Sequence, residues 1–134
     1  LTVQVMLDTS IVSDLIRDPY GAAASRVEIE RVENCCVSIF TASELRYGAL
    51  KKGSPRLSRD VEQSLLRIPV APFEVPGDAI YAEIRDALTR SGQLIRPVDL
   101  FIAAHALALG LTLITANMRE FSRVPGLHVE NWLD

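Results

Sequence analysis

The sequence predicts an α/β fold: a mainly parallel central sheet of four to five strands with helices on both faces. Two observations predict it. Short strand-like runs alternate with segments of helical spacing almost throughout the chain. Apolar residues make up 49% of the 134 positions, which supports a densely buried sheet and argues against disorder. That length suits a single domain over residues 1–134 with a real core, and no repeat, linker or low-complexity tract marks an internal boundary.

The first strand is read over residues 3–7, where only Gln4 is polar, and it stops at Asp8. Residues 11–16 have helical spacing, closed by Pro19, and residues 22–32 form a second helix. Residues 35–39 make a second buried strand. A helix opening at Thr41-Ala42-Ser43-Glu44 carries Leu45, Gly48, Ala49 and Leu50. Lys51-Lys52-Gly53-Ser54-Pro55 is turn chemistry, and residues 56–68 complete a helical hairpin. The prolines in residues 69–76 restrict that stretch to an edge strand or a loop. A helix over 79–91 ends at Gly92, and the most apolar helix follows Pro97-Val98-Asp99 and ends at Gly110. Residues 111–115 form a strand, 117–121 a single helical turn, and 127–129 a last short strand.

Residues 100–113 are the longest apolar run, too short to span a bilayer, so no membrane association is expected. The N-terminus lacks the pattern of a signal peptide. The only cysteines, Cys35 and Cys36, are strand neighbours pointing to opposite faces, poorly placed to bond to each other. A reducing cytoplasm is the expected compartment. The net charge of −3 does not announce a nucleic-acid binder, but residues 46–67 hold six basic residues against two acids. Arg46, Lys51, Lys52 and Arg56 are candidate RNA contacts; a solvated helical face explains the same charges equally well.

Four acids stand after strands or at helix starts: Asp8, Glu44, Asp99 and Glu120. In a parallel sheet such positions converge on the carboxyl edge, where ligands bind. Hard oxygen ligands without His or Cys suit Mg²⁺ or Mn²⁺, and such an ion activates water and polarises a phosphodiester. Each acid also has a plain explanation. Asp8 and Asp99 fit N-caps, Thr41 to Glu44 fits a capping box, and Glu120 fits an ordinary surface acid. Taken together, four acids without cations repel one another, which calls for a metal or a nearby base. Setting them aside leaves 13 acids against 14 basic residues. Ser10 and Asn117 are candidates to orient carboxylates or ligand waters, and both are also common capping residues. His105 reads as a hydrogen-bonded core histidine and Trp132 as packing the C-terminus onto the body; His128 has no assigned role.

These residues resemble the PIN-domain ribonucleases, and within them the VapC-type toxins of bacterial VapBC toxin–antitoxin pairs. The motifs are Met6-Leu7-Asp8-Thr9-Ser10, Ser43-Glu44-Leu45 with Gly48, the run from Pro97-Val98-Asp99 through His105-Ala106, and Thr115-Ala116-Asn117-Met118-Arg119-Glu120-Phe121. The resemblance extends to Val124-Pro125-Gly126-Leu127 and Trp132 and so spans nearly the whole chain. It implies a single PIN-like domain and a Mg²⁺- or Mn²⁺-dependent endoribonuclease that inhibits translation. Asp8, Glu44 and Asp99 would bind metal directly or through water, Glu120 would complete the site, and Asn117 would support it. Many members carry Asn where this chain has Ser10, which is shorter. The resemblance also implies a homodimer, a VapB-type antitoxin partner, and structured RNA such as transfer RNA as substrate.

Three other readings remain at this point. A phosphatase of the haloacid dehalogenase type wants a second Asp two places after Asp8, where Ser10 stands. A receiver domain wants a Lys after a late strand, and residues 113–117 supply none. A non-catalytic RNA- or protein-binding module of the same fold would not need all four acids.

Overall fold

The structure, a computed structural model, describes residues 3–133. Five strands form one sheet in the order β3-β2-β1-β4-β5, every pairing parallel: β1 (Val5–Leu7), β2 (Cys35–Ser38), β3 (Val70–Ala71), β4 (Thr112–Ile114) and β5 (Val129–Glu130). Seven helices cover it: α1 (Thr9–Arg17), α2 (Ala22–Glu30), α3 (Ile39–Lys52), α4 (Pro55–Arg67), α5 (Gly77–Arg90), α6 (Pro97–Leu109) and the single turn α7 (Met118–Phe121). Both faces are covered, as the alternation of elements predicts. Residues 69–76 supply a two-residue edge strand, in keeping with their prolines.

Side-chain alternation divides the core into two layers. Val5, Leu7, Cys35, Val37 and Ile114 point to one face and pack with α1–α4 and Trp132. Met6, Cys36 and Leu113 point to the other and pack with α5, α6 and Phe121. Cys35 and Cys36 therefore lie on opposite sides of the sheet and are both free thiols. Burial pushes them up to about 11 and about 12, so both stay protonated. Among the described residues no helix is long and apolar enough to cross a membrane.

Helices α1 and α5 each start two residues earlier than expected, and the starts of α3 and α6 differ in ways that bear on the acids. α3 begins at Ile39, capped by Ser38, the last residue of β2, whose Oγ accepts from the Phe40 amide at 3.1 Å. The strand thus passes into the helix with no loop, and Thr41 to Glu44 lies inside α3 rather than at a capping box. Lys51 and Lys52 finish α3 instead of lying in the turn; Gly53, at φ 62°, stops it in a left-handed cap. α6 begins at Pro97, whose fixed φ suits the first helical position, so Asp99 is its third residue and not its cap.

His105 is the core histidine that its apolar helix suggests. Its Nε2 donates to the Pro72 carbonyl at 3.0 Å, which leaves Nδ1 to accept from Ser38 Oγ at 2.8 Å. One imidazole thereby ties α6 to the end of β2 and to the chain after β3. Burial holds its pKa below the usual 6.5, against the pull of the Pro72 carbonyl. An unfolded imidazole takes its proton near 6.5 and the folded one only at lower pH. This contribution is complete above that value and is lost as pH falls from it toward the folded pKa. Thermal melts from neutral to mildly acid pH should show a steeper loss for the parent than for His105→Gln. Equal slopes would refute the assignment.

Candidate active site

Four segments meet at the carboxyl edge of the sheet around a cleft of about 350 Å³. β1 delivers Asp8, which caps α1 through its Oδ1, accepting from the Thr9 amide at 2.7 Å. The sheet register sets its next partner. Leu7 pairs with Ile114, so the residues that follow, Asp8 and Thr115, emerge side by side. Thr115 Oγ1 donates to Asp8 Oδ2 at 2.7 Å, and Ser10 Oγ lies 3.3 Å from the same oxygen. Burial raises the Asp8 pKa against the pull of these hydrogen bonds, and the nearby Glu44 charge raises it further.

Glu44 comes from the sixth position of α3, well inside the helix. Its Oε1 accepts from Thr9 Oγ1 at 2.8 Å and its Oε2 from Arg96 Nη2 at 3.1 Å. A capping box would have turned this side chain back along α3; instead it crosses to Thr9 of α1 and to Arg96, just before α6. Asp99 sits in the first turn of α6, where the helix dipole favours a negative charge. Its Oδ2 accepts from Arg96 Nε at 3.1 Å, and its Oδ1 lies 3.4 Å from Arg96 Nη2.

Glu120, in α7, accepts from the Arg96 amide at 3.1 Å and from Asn117 Nδ2. The Asn117 amide in turn donates to Thr115 Oγ1 at 2.9 Å. The Ala116 amide donates to Ser10 Oγ at 3.1 Å, so Ser10 fastens the loop after β4.

Asp99 and Glu120 behave as a pair. Burial pushes Asp99 up to about 7; Arg96 pulls it down and Glu120 pushes it further up. Burial also works to raise Glu120, but hydrogen bonds from Asp99, the Arg96 amide and Asn117 bring it below the usual range. The two carboxyls therefore titrate as a pair, each shifted by its neighbour.

All four sequence-predicted acids, with Ser10 and Asn117, line this one cleft. Among the described residues, however, no three Asp, Glu, His or Cys groups stand close enough to hold one ion. The donor chemistry still fits a hard divalent cation: four carboxylates and no soft ligand. Arg96 meets part of the charge of these acids through its ion pairs with Glu44 and Asp99.

Sequence reasoning did not single out Arg96, Thr115 or Thr9. Thr115 has a signal in the sequence, since the residue after a neighbouring parallel strand must come out beside Asp8. Arg96 has a weaker one, three residues before Asp99 at the entry to a helix.

The basic candidates lie apart from the acids. Arg46 is held by Glu62 through two bonds of 2.9 and 3.0 Å across the α3–α4 hairpin. Lys51, Lys52 and Arg56 are exposed around the turn that joins these helices. A groove of about 250 Å³ between α1, α3 and α4 runs from Thr9 and Glu44 past Leu45 and Gly48 to Lys52 and Leu57.

Comparison with known proteins agrees with this fold. The PIN domain profile matches residues 5–127. Over 132 residues the chain is 37% identical to "Ribonuclease VapC2" of Haemophilus influenzae, covering 98% of this chain and 99% of that protein. It is 34% identical to "tRNA(fMet)-specific endonuclease VapC" of Shigella flexneri, covering 97% and 98%. Among solved structures, VapBC2 from Rickettsia felis bound to a DNA fragment from its promoter superposes with a TM-score of 0.88 at 31% identity, over 98% of this chain and 99% of that chain. DNA-bound VapBC from Salmonella typhimurium also gives 0.88, at 33% identity over 97% and 98%.

Proposed function

The chain belongs to the PIN domain family, and from that premise we propose that it is a Mg²⁺- or Mn²⁺-dependent endoribonuclease, the toxin of a toxin–antitoxin pair that inhibits translation. The observation that carries this reading is the convergence of Asp8, Glu44, Asp99 and Glu120, from four separate segments, on one cleft at the carboxyl edge of the sheet. Near-full-length identity to proteins named as ribonucleases supports it.

Asp8 and Asp99, the most buried of the four, would hold the ion, with Glu44 and Glu120 completing its shell. The chemistry that a divalent ion would supply if bound there is polarisation of the phosphodiester, activation of the attacking water and stabilisation of the leaving oxygen. Thr115 and the Thr9 amide hold both oxygens of Asp8, so that carboxylate meets its ligand already oriented. Thr9 does the same for one oxygen of Glu44. Asn117 steadies Glu120, and Ser10 holds the loop that carries both.

RNA, with transfer RNA as the candidate class, would approach across Arg46, Lys51, Lys52 and Arg56. The groove between α1, α3 and α4 suits the apolar face of an amphipathic antitoxin helix that ends beside Glu44. The chain would work in the cytoplasm as a single domain and as a homodimer.

The test is cleavage of a mixed transfer RNA preparation by the purified chain. Cleavage with added Mg²⁺ or Mn²⁺ and none in excess EDTA is the expected result; undiminished cleavage in EDTA would sink the reading. Changing Lys51, Lys52 and Arg56 to Gln should flatten the salt dependence of RNA binding by a slope of about 2 to 3, from roughly 0.7–0.9 per lost phosphate contact between single-stranded and duplex limits. An unchanged slope would remove those residues from the RNA path.

A further inference from the structure

Arg96 stands inside the acid cluster. Its Nε and Nη2 face the two oxygens of Asp99 at 3.1 and 3.4 Å, and Nη2 also reaches Glu44 Oε2 at 3.1 Å. Its amide holds Glu120 at 3.1 Å. One residue therefore contacts three of the four acids, and its side chain binds two that lie on different helices.

The guanidinium occupies carboxylate oxygens that a divalent ion would need, and a positive charge beside a bound dication is repelled. The side chain is also free to leave. It is 61% exposed, against 7% for Asp99 and 27% for Glu44, so most of its surface is already in solvent. Its side-chain hydrogen bonds are charge-assisted; the one to Glu44 is exposed, where solvent weakens it, and the two to Asp99 are partly buried. The absence of any three ligands at ion-holding spacing among the described residues is consistent with a site drawn around an arginine.

We propose that Arg96 is an internal, exchangeable counter-ion of the acid cluster: it holds Glu44 and Asp99 together in the metal-free protein and must release them for a divalent ion to enter. The inference rests on the metal-site reading above. Arg96 is then a determinant of how much divalent ion the protein needs. The chain carries in its own sequence the cation that keeps its site closed at low metal concentration.

The test measures Mn²⁺ binding, by the loss of free-ion electron paramagnetic resonance signal and by calorimetry, rather than RNA cleavage. Parent, Arg96→Gln, Arg96→Lys and Asp99→Asn proteins are compared at neutral pH after circular dichroism has shown that each is folded. Arg96→Gln should bind Mn²⁺ at least tenfold more tightly than the parent, and Mn²⁺ should raise its melting temperature by more.

Arg96→Lys keeps a charge but loses the planar fork, so it should bind more tightly than the parent by a smaller factor. That comparison stands even if the Gln variant does not fold. Binding by Arg96→Gln or Arg96→Lys that is equal to or weaker than the parent's, while Asp99→Asn loses it, overturns the exchange and leaves the metal site standing. No Mn²⁺ binding by parent or Arg96 variants at millimolar concentration overturns both readings.

Discussion

Asp99→Asn is expected to cut RNA cleavage by more than about 100-fold, because losing even an outer partner of a metal ligand typically costs 10–100-fold and Asp99 is assigned to the ion itself. The substitution is nearly isosteric, and the side chain it replaces is buried. It removes the ion pair with Arg96, yet it also removes a carboxylate crowded by Glu120 in a buried setting that already pushes Asp99 up to about 7. These changes oppose each other, so the melting temperature should stay within about 5 °C of the parent, roughly a 1 kcal/mol change for a domain of this size. Steady-state cleavage and thermal melts measured together give the answer. Parental activity in Asp99→Asn would show that the cleft is not a metal site.

Trp132→Ala should be the most damaging change to stability. The indole is 1% exposed and closes the layer built by α1–α4, with the Arg26 guanidinium 4.9 Å from its ring centroid and Nε1 donating to Glu130 Oε1 at 3.3 Å. Truncating such a side chain costs about 3–5 kcal/mol in lost transfer energy and cavity, or a fall of about 10–20 °C in melting temperature. Trp132→Phe keeps most of the volume and should lose less than half as much. A shift of less than about 3 °C for the Ala variant would mean that the C-terminus does not close this core.

Much of this was legible in the sequence. A parallel sheet brings the ends of its strands to one edge, so Asp8, Glu44 and Glu120 could be gathered by counting which strand each follows. The adjacent cysteines announced the two core layers, since neighbours on a strand cannot share a face. The start of α3 was less legible because Ser38 is both the last residue of β2 and the helix cap. The Thr41–Glu44 pattern imitates a capping signal three residues later. Arg96 was the residue least visible beforehand. Nothing in composition distinguishes it from the other arginines, and its partner Glu44 is 52 residues away in the chain. Its role depends on α3 and α6 arriving at the same corner, which is a property of the fold and not of any local stretch.

The brevity of the outermost strands limits how the molecule can be met by others. β3 and β5 are each two residues long, and the proline-rich stretch that supplies β3 has few amide hydrogens to offer. An added strand needs a run of unpaired backbone groups to zip against, and neither margin provides one. A second copy or another protein that docks here would therefore have to use the helical faces, where side chains rather than backbone ladders decide the fit. Recognition there would be set residue by residue, so a change of partner need not disturb the sheet that positions Asp8 and Glu44.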